Sequence, residues 1–178
     1  NDAFSDAELD ALTSHVLELA ALTQERALTN TDDGESSWPP GIMPSQQRSP
    51  TPQLQLQSSI EDRVTLNNFR GQLVVLSFWG VDCVHCLQEM PGLAEVAELY
   101  ADRGLAVVSV CADENDIDDA LEIASRVAPG HVVYVDPTGL AMHRFAVSSL
   151  PTCWIIDRTG NTIARGRGKI DWSSRRVR

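Results

Sequence analysis

The sequence predicts an α/β domain, a central β-sheet flanked by helices. Three observations predict it. Leu73-Val74-Val75-Leu76 and Leu105-Ala106-Val107-Val108-Ser109-Val110 are near-continuous apolar runs. The segment between them, Leu93-Ala94-Glu95-Val96-Ala97-Glu98-Leu99-Tyr100, is apolar at helical spacing. Two apolar runs joined through a helix read as parallel neighbours buried on both faces. Further on, Cys153 to Asp157 and Thr162 to Arg165 are β-rich runs joined by the turn Arg158-Thr159-Gly160-Asn161.

A chain of 178 residues, 43% apolar, fits one domain with extensions and can bury a core. No run reaches the ~18 apolar residues of a membrane-spanning helix. The chain begins at Asn1 rather than Met and shows no signal-peptide apolar region, so a leader or anchor is expected to have been removed. The net charge of −11 argues against a nucleic-acid partner, because phosphate binding needs a basic face. That charge is uneven. Residues 1–35 carry nine acids against Arg26, a net of −8, and residues 158–178 carry seven bases against Asp171, a net of +6. These are two solvated ends, or ends that dock on each other or on partners.

Taken in order, residues 5–28 read as an amphipathic helix. Ser5-Asp6-Ala7-Glu8 has the form of a capping box. Leu9, Leu12, Val16, Leu19, Ala20, Thr23 and Ala27 then recur at helical spacing. Residues 30–52 hold five prolines and no period, and read as an extended or mobile linker pinned at Trp38 or Ile42. The division is thus a helix plus linker over 1–52 and a domain over 53–178. Leu54 and Leu56, then Val64 and Leu66, alternate as a small hairpin. The turn at 67–72 leads into a central strand at 73–79 and a helix from about 84 to 102. The strand at 105–110 precedes a helix at 116–127 and a short strand at 131–135. Asp136-Pro137-Thr138-Gly139 opens a helical turn ending near Phe145. After the last strand, Asp171 to Arg178 reads as the opening of a terminal helix, shorter than a full cover for the sheet. The N-terminal helix is the expected substitute.

The chemistry concentrates where the central strand meets the helix, at Phe78-Trp79-Gly80-Val81-Asp82-Cys83-Val84-His85-Cys86. A cysteine at a helix start sits among unpaired N–H groups at the positive end of the dipole, which favours thiolate. Cys86, one turn on, is placed to attack a mixed disulfide formed on Cys83. Two cysteines at this spacing are also half of a zinc site.

Glu89-Met90-Pro91 follows the pair, and Leu150-Pro151-Thr152 precedes the run at 153–156. In these features, the aromatic Phe78-Trp79 and the Ile155-Ile156-Asp157-Arg158-Thr159-Gly160-Asn161 turn, the sequence resembles the thioredoxin-like family. It is most similar to the extracytoplasmic TlpA/ResA branch, over roughly residues 52–172. The resemblance implies a thioredoxin-like fold, a central mixed β-sheet flanked by helices. The stretch between Val110 and Pro151 is then that branch's helix-strand insert, and residues 5–28 an extra N-terminal helix. It implies a thiol–disulfide oxidoreductase outside the cytoplasm that needs neither cofactor nor metal. Protein thiols and disulfides are the implied substrates, with a membrane-bound redox partner.

Within that reading Cys83 is the nucleophile and Cys86 the resolving thiol. His85, as a cation, stabilises a Cys83 thiolate, or is an exposed loop residue. The family usually has an aromatic residue where this chain has Asp82. That carboxylate opposes the thiolate, accepts a proton, or is merely solvated. Ser77 stands where thioredoxin has a buried aspartate, which leaves Glu89 as a substitute base or a surface helix residue. Pro151 is implied to be cis, with Leu150 presenting its backbone to an extended substrate, and with Trp79 and Thr152 beside it. Cys111 and Cys153, on strands flanking the central one, are two strand spacings (~9.5 Å) apart, too far for a disulfide. They read as small buried hydrophobes. Two other functions use the same residues. A thiol peroxidase of the peroxiredoxin-related group would need only Cys83. A copper-binding chaperone would need both thiolates and a histidine such as His143.

Overall fold

The apolar runs form the middle of the sheet. The computed structural model describes residues 38, 40–58, 63–113, 117–136 and 138–172. Its strands are β1 (Ile42–Pro50), β2 (Gln55–Ser58), β3 (Val64–Thr65), β4 (Leu73–Trp79), β5 (Leu105–Cys111), β6 (Val133–Val135), β7 (Thr152–Ile156) and β8 (Asn161–Arg167). They lie in the order β1-β8-β7-β4-β5-β6-β2-β3. Helices α1 (Val84–Tyr100), α2 (Ile117–Val127) and α3 (Ala141–Arg144) connect them. The predicted terminal helices at 5–28 and 171–178 lie outside the described residues, apart from Asp171 and Trp172, which are not helical.

Strand β4 is central because all seven of its side chains are apolar or small, and all are buried. It pairs parallel with β5 through the α1 crossover and antiparallel with β7, so the sheet is mixed. One face carries Val74, Leu76, Phe78, Val108, Val110, Trp154 and Ile156, covered by Leu54, Leu56 and Leu66 and by Phe145. Phe78, Phe145 and Trp154 meet there with ring centroids 5.3–5.5 Å apart. Trp154 meets both phenylalanines edge-on, and such contacts add about 0.5–1.5 kcal/mol each beyond burial. The other face carries Trp79 and Cys111 under α1 and α2. Ala120 and Ala124 repeat every four residues along α2, and Ala128 follows just past its end, a small-residue stripe that lets the helix lie close to the sheet.

The hairpin forms as predicted, with Leu56 opposite Val64. Residues 42–50 do more than link. They add to β8 as an edge strand, Ile42 opposite Gly166 and Pro50 opposite Asn161, with a register shift between Pro44 and Ser49. An edge strand tolerates Pro44 and Pro50, because a proline needs no ladder donor on its open side. Ile42 is buried at 6% exposure while the rest of β1 is exposed. The compact unit accordingly runs over Pro40–Ser173 and takes in chain before residue 53.

Gly166 shows how tightly this edge is built. A Cβ there would stand 2.5 Å from Ile170 Cδ1 and 2.7 Å from Cys153 Sγ. Gly166→Ala is therefore expected to destabilise by roughly 1–3 kcal/mol. Adding Cys153→Ala should recover part of that loss. Denaturant unfolding of the single and double variants checks both.

Candidate active site

Strand β4 ends at Trp79, and the chain turns through Gly80–Asp82 into α1. Cys83 closes this turn with its N–H on the Gly80 carbonyl, 3.1 Å away, and caps the helix. Its Sγ accepts from the Cys86 N–H at 3.2 Å. That donor belongs to the helix's first turn, so the positive end of the dipole faces this sulfur. Cys83 and Cys86 are joined as a disulfide, with Cα atoms 5.2 Å apart. Cys83 is half-buried and Cys86 is 1% exposed. The difference follows from position. Cys83 lies at the helix lip, and Cys86 faces the sheet among Trp79, Met90 and Cys111.

Two further segments hold the turn. The Trp79 carbonyl accepts from Ala112 N–H at 2.7 Å, extending the β4–β5 pairing. Asp113 Oδ2 accepts from Val81 N–H at 2.7 Å and lies 3.7 Å from Cys111 Sγ. Sequence reading missed Asp113. Its only signal was its place as the first acid past an apolar strand, in Ala112-Asp113-Glu114-Asn115-Asp116, on the same sheet edge as Cys83. Asp113→Ala should cost about 1 kcal/mol in unfolding, with partial recovery in Asp113→Asn, which keeps an acceptor. On the other side stands the Leu150–Pro151 peptide, which is cis. A Cβ on Gly80 would meet Leu150 Cδ1 at 3.2 Å and Asp113 Oδ2 at 3.1 Å, so glycine lets both close on the turn.

The structure sorts the predicted site residues. Cys83, Leu150 and the Cys86 helix turn gather at one end of the sheet, and Leu150 and Cys83 pack on the same apolar cluster. Asp82 and His85 are exposed. Trp79 and Thr152, expected at the substrate surface, lie inside. Trp79 is 2% exposed, and the Thr152 hydroxyl is turned back on the Ser149 carbonyl at 2.6 Å. Ser77 is buried beside Ser109 and Cys153 in register. Ser109 Oγ in turn meets His131 Nε2 at 2.8 Å. His143 is exposed on α3.

Glu89 is not a surface helix residue. It lies three residues after Cys86, 6% exposed, and its Oε2 accepts from Ile170 N–H at 3.0 Å. Burial raises its pKa to about 7, against the downward pull of that hydrogen bond and of Lys169. Cys153 is pushed up to about 12, by burial first and then by the charge of Glu89. Burial likewise lifts Cys111 to about 11. Both free thiols therefore stay protonated and unreactive at neutral pH. Among the described residues, no group of three or more His, Cys, Asp or Glu side chains is arranged to hold a metal ion. Among them, too, no helix is long and apolar enough to cross a membrane.

Residues 48–164 match the model of the AhpC/TSA family. The chain belongs to this family. Among curated proteins, this AhpC/TSA member is 31% identical over 107 residues to the thiol-disulfide oxidoreductase ResA of Bacillus thuringiensis subsp. konkukian, covering 60% of this chain and 61% of that one. It is 30% identical over 122 residues to the thioredoxin-like protein YneN of Bacillus subtilis, covering 67% of this chain and 69% of that one. The chain thus spans about three fifths of the ResA it matches. Among solved structures it resembles a putative thiol:disulfide interchange protein DsbE from Chlorobium tepidum. There the TM-score is 0.63 at 28% identity, over 68% of this chain and 85% of that one. The fold is thioredoxin-like.

Proposed function

We propose that this protein is a thiol–disulfide oxidoreductase acting on protein thiols and disulfides outside the cytoplasm. One observation carries the reading. A half-exposed Cys83 caps α1 while its disulfide partner Cys86 is buried in the same turn. The names of its ResA and DsbE relatives point the same way.

In the reducing direction, the Cys83 thiolate attacks one sulfur of a substrate disulfide and displaces the other as thiolate. Cys86 loses its proton and attacks Cys83, which releases the first substrate sulfur and closes the Cys83–Cys86 bond. Two electrons pass to the substrate. The oxidising direction reverses each step from the disulfide form. Leu150 offers its backbone to the substrate as an added strand. Glu89 accepts the proton of Cys86, the role that Ser77 cannot fill. A membrane-bound partner resets the pair. The domain that begins with the sheet carries the chemistry, apart from the segment at 1–37.

His85 and Asp82 tune the pair in opposite senses, through charges set in solvent. Asp82→Asn is expected to make the pair more oxidising and His85→Ala less, each by roughly 5–20 mV, the scale of exposed charge contacts. Equilibration of both variants with glutathione measures the shifts.

The function is tested by turnover of a disulfide-bonded peptide, with hydrogen peroxide as the competing substrate. Catalysed exchange that needs both cysteines supports the proposal. Peroxide consumption that survives in Cys86→Ser would replace it with the thiol-peroxidase reading.

A further inference from the structure

The segment after β8 touches both halves of the site. Arg167 pairs in register with Thr152, directly after the cis-proline. Gly168 N–H donates to the Pro151 carbonyl at 2.9 Å. Lys169 Nζ donates to Gln88 Oε1 on α1 at 3.2 Å, and Ile170 N–H to Glu89 at 3.0 Å. Ile170 is buried and anchors the segment, while Arg167, Gly168 and Lys169 are exposed. Four residues therefore strap the Pro151 loop to the cysteine helix and leave two cations on the rim between them.

The exposed part of the strap is cationic. At the site end of β8 the chain carries Arg165, Arg167 and Lys169, and its next acid is Asp171. Arg165 is committed elsewhere. Its guanidinium stacks 4.5 Å from the Trp154 ring centroid and donates to the Ala146 carbonyl at 3.1 Å. Burial lowers its pKa, and so does the charge of Arg167, so the two guanidinium groups feel each other. Arg167 and Lys169 remain at the surface beside the Pro151 loop. Across the site the exposed carboxylates are Asp82 and Asp113, with His85 exposed beside Asp82. A substrate strand lying between Leu150 and Cys83 thus has cations on one flank and carboxylates on the other.

We infer that the Arg167–Lys169 strap is a specificity-determining rim that selects substrate segments with acidic side chains beside the reacting disulfide. The inference rests on the exchange reading. It gives a chain of net charge −11 a local means of accepting an acidic partner that its overall field would repel. The same rim disfavours lysine-flanked segments, since like charges meet there.

The test uses the full chain and two peptides with the same disulfide core, one flanked by glutamates and one by lysines. At low ionic strength kcat/KM should favour the acidic peptide by about two- to five-fold per charge contact. The preference should shrink toward one at ~0.5 M salt, where screening is within a few ångströms. Arg167→Glu should reverse it. Arg167→Gln should weaken it and Arg167→Gln with Lys169→Gln should abolish it, which covers the case in which the charge reversal disturbs the fold. Equal rates for both peptides in the unaltered protein would overturn the inference. So would a preference that survives salt and both substitutions. Failure of the unaltered protein to exchange either peptide would remove the exchange reading itself, and this inference with it.

Discussion

Cys83→Ser abolishes exchange to the uncatalysed background, and Cys86→Ser leaves proteins linked to Cys83 through mixed disulfides. This asymmetry is expected from where the two sulfurs sit. Cys83 is reachable, and its Sγ already accepts the Cys86 N–H. In the reduced state that donor and the helix dipole stabilise a thiolate, so Cys83 attacks first. Cys86 is 1% exposed among Trp79, Met90 and Cys111, and no large substrate reaches it directly. Its route is inward, to Cys83. Without it the mixed disulfide persists. Non-reducing gels and mass spectrometry after acid quenching measure the outcome. Trapping on Cys86 in Cys83→Ser, with none on Cys83 in Cys86→Ser, would reverse the two roles.

The second large effect belongs to Glu89. Its carboxyl titrates near 4.5 when unperturbed and at about 7 in the folded protein, chiefly because burial disfavours its charge. Between those values the folded state holds a proton that the unfolded state has lost. Stability therefore falls as pH rises from 4.5 to 7 and levels off above, by roughly 1–3 kcal/mol. Glu89→Gln removes that slope, keeps an acceptor for Ile170 N–H, and is more stable than the parent at pH 8. Urea unfolding across this range reads the difference. The proton-accepting role has a separate readout. In Glu89→Gln release of the mixed disulfide should slow, and it should lose its dependence on pH near 7. A variant with the altered stability profile but unchanged release would make Glu89 a structural residue only.

These predictions rest on unequal shares of sequence and structure. The central strand, its parallel neighbour and the helix between them were readable because Val74 to Phe78 and Val107 to Val110 are apolar but for one buried serine each, Ser77 and Ser109, a pattern that two covered faces explain. The Cys83–Cys86 motif was readable because spacing and the strand-to-helix junction together specify a helix cap. Strand β1 was hidden, since Pro44 and Pro50 mark a linker by every local rule. Only its place at the sheet edge admits them. Glu89 was hidden for a different reason. Helical period puts it beside Cys86, but what encloses it is Ile170, 81 residues away. Asp113 and the strap at 167–170 belong to the same class. Each acts through a contact that exists only once β5, β7 and β8 stand around β4. Trp79 misled in the opposite direction, because an aromatic residue near a reactive cysteine suggests a substrate surface, and here it is core.

Titration of the Cys83/Cys86 pair against glutathione, with thiols alkylated and counted by mass, bears most directly on the proposed chemistry. Exchange requires the pair to pass between disulfide and dithiol in one two-electron step with a defined reduction potential. Cys111 and Cys153 should remain as thiols at every ratio, held protonated by burial. A pair that stays locked in one state across the whole range, or that oxidises only when peroxide is added, would contradict thiol–disulfide exchange as the function of this site.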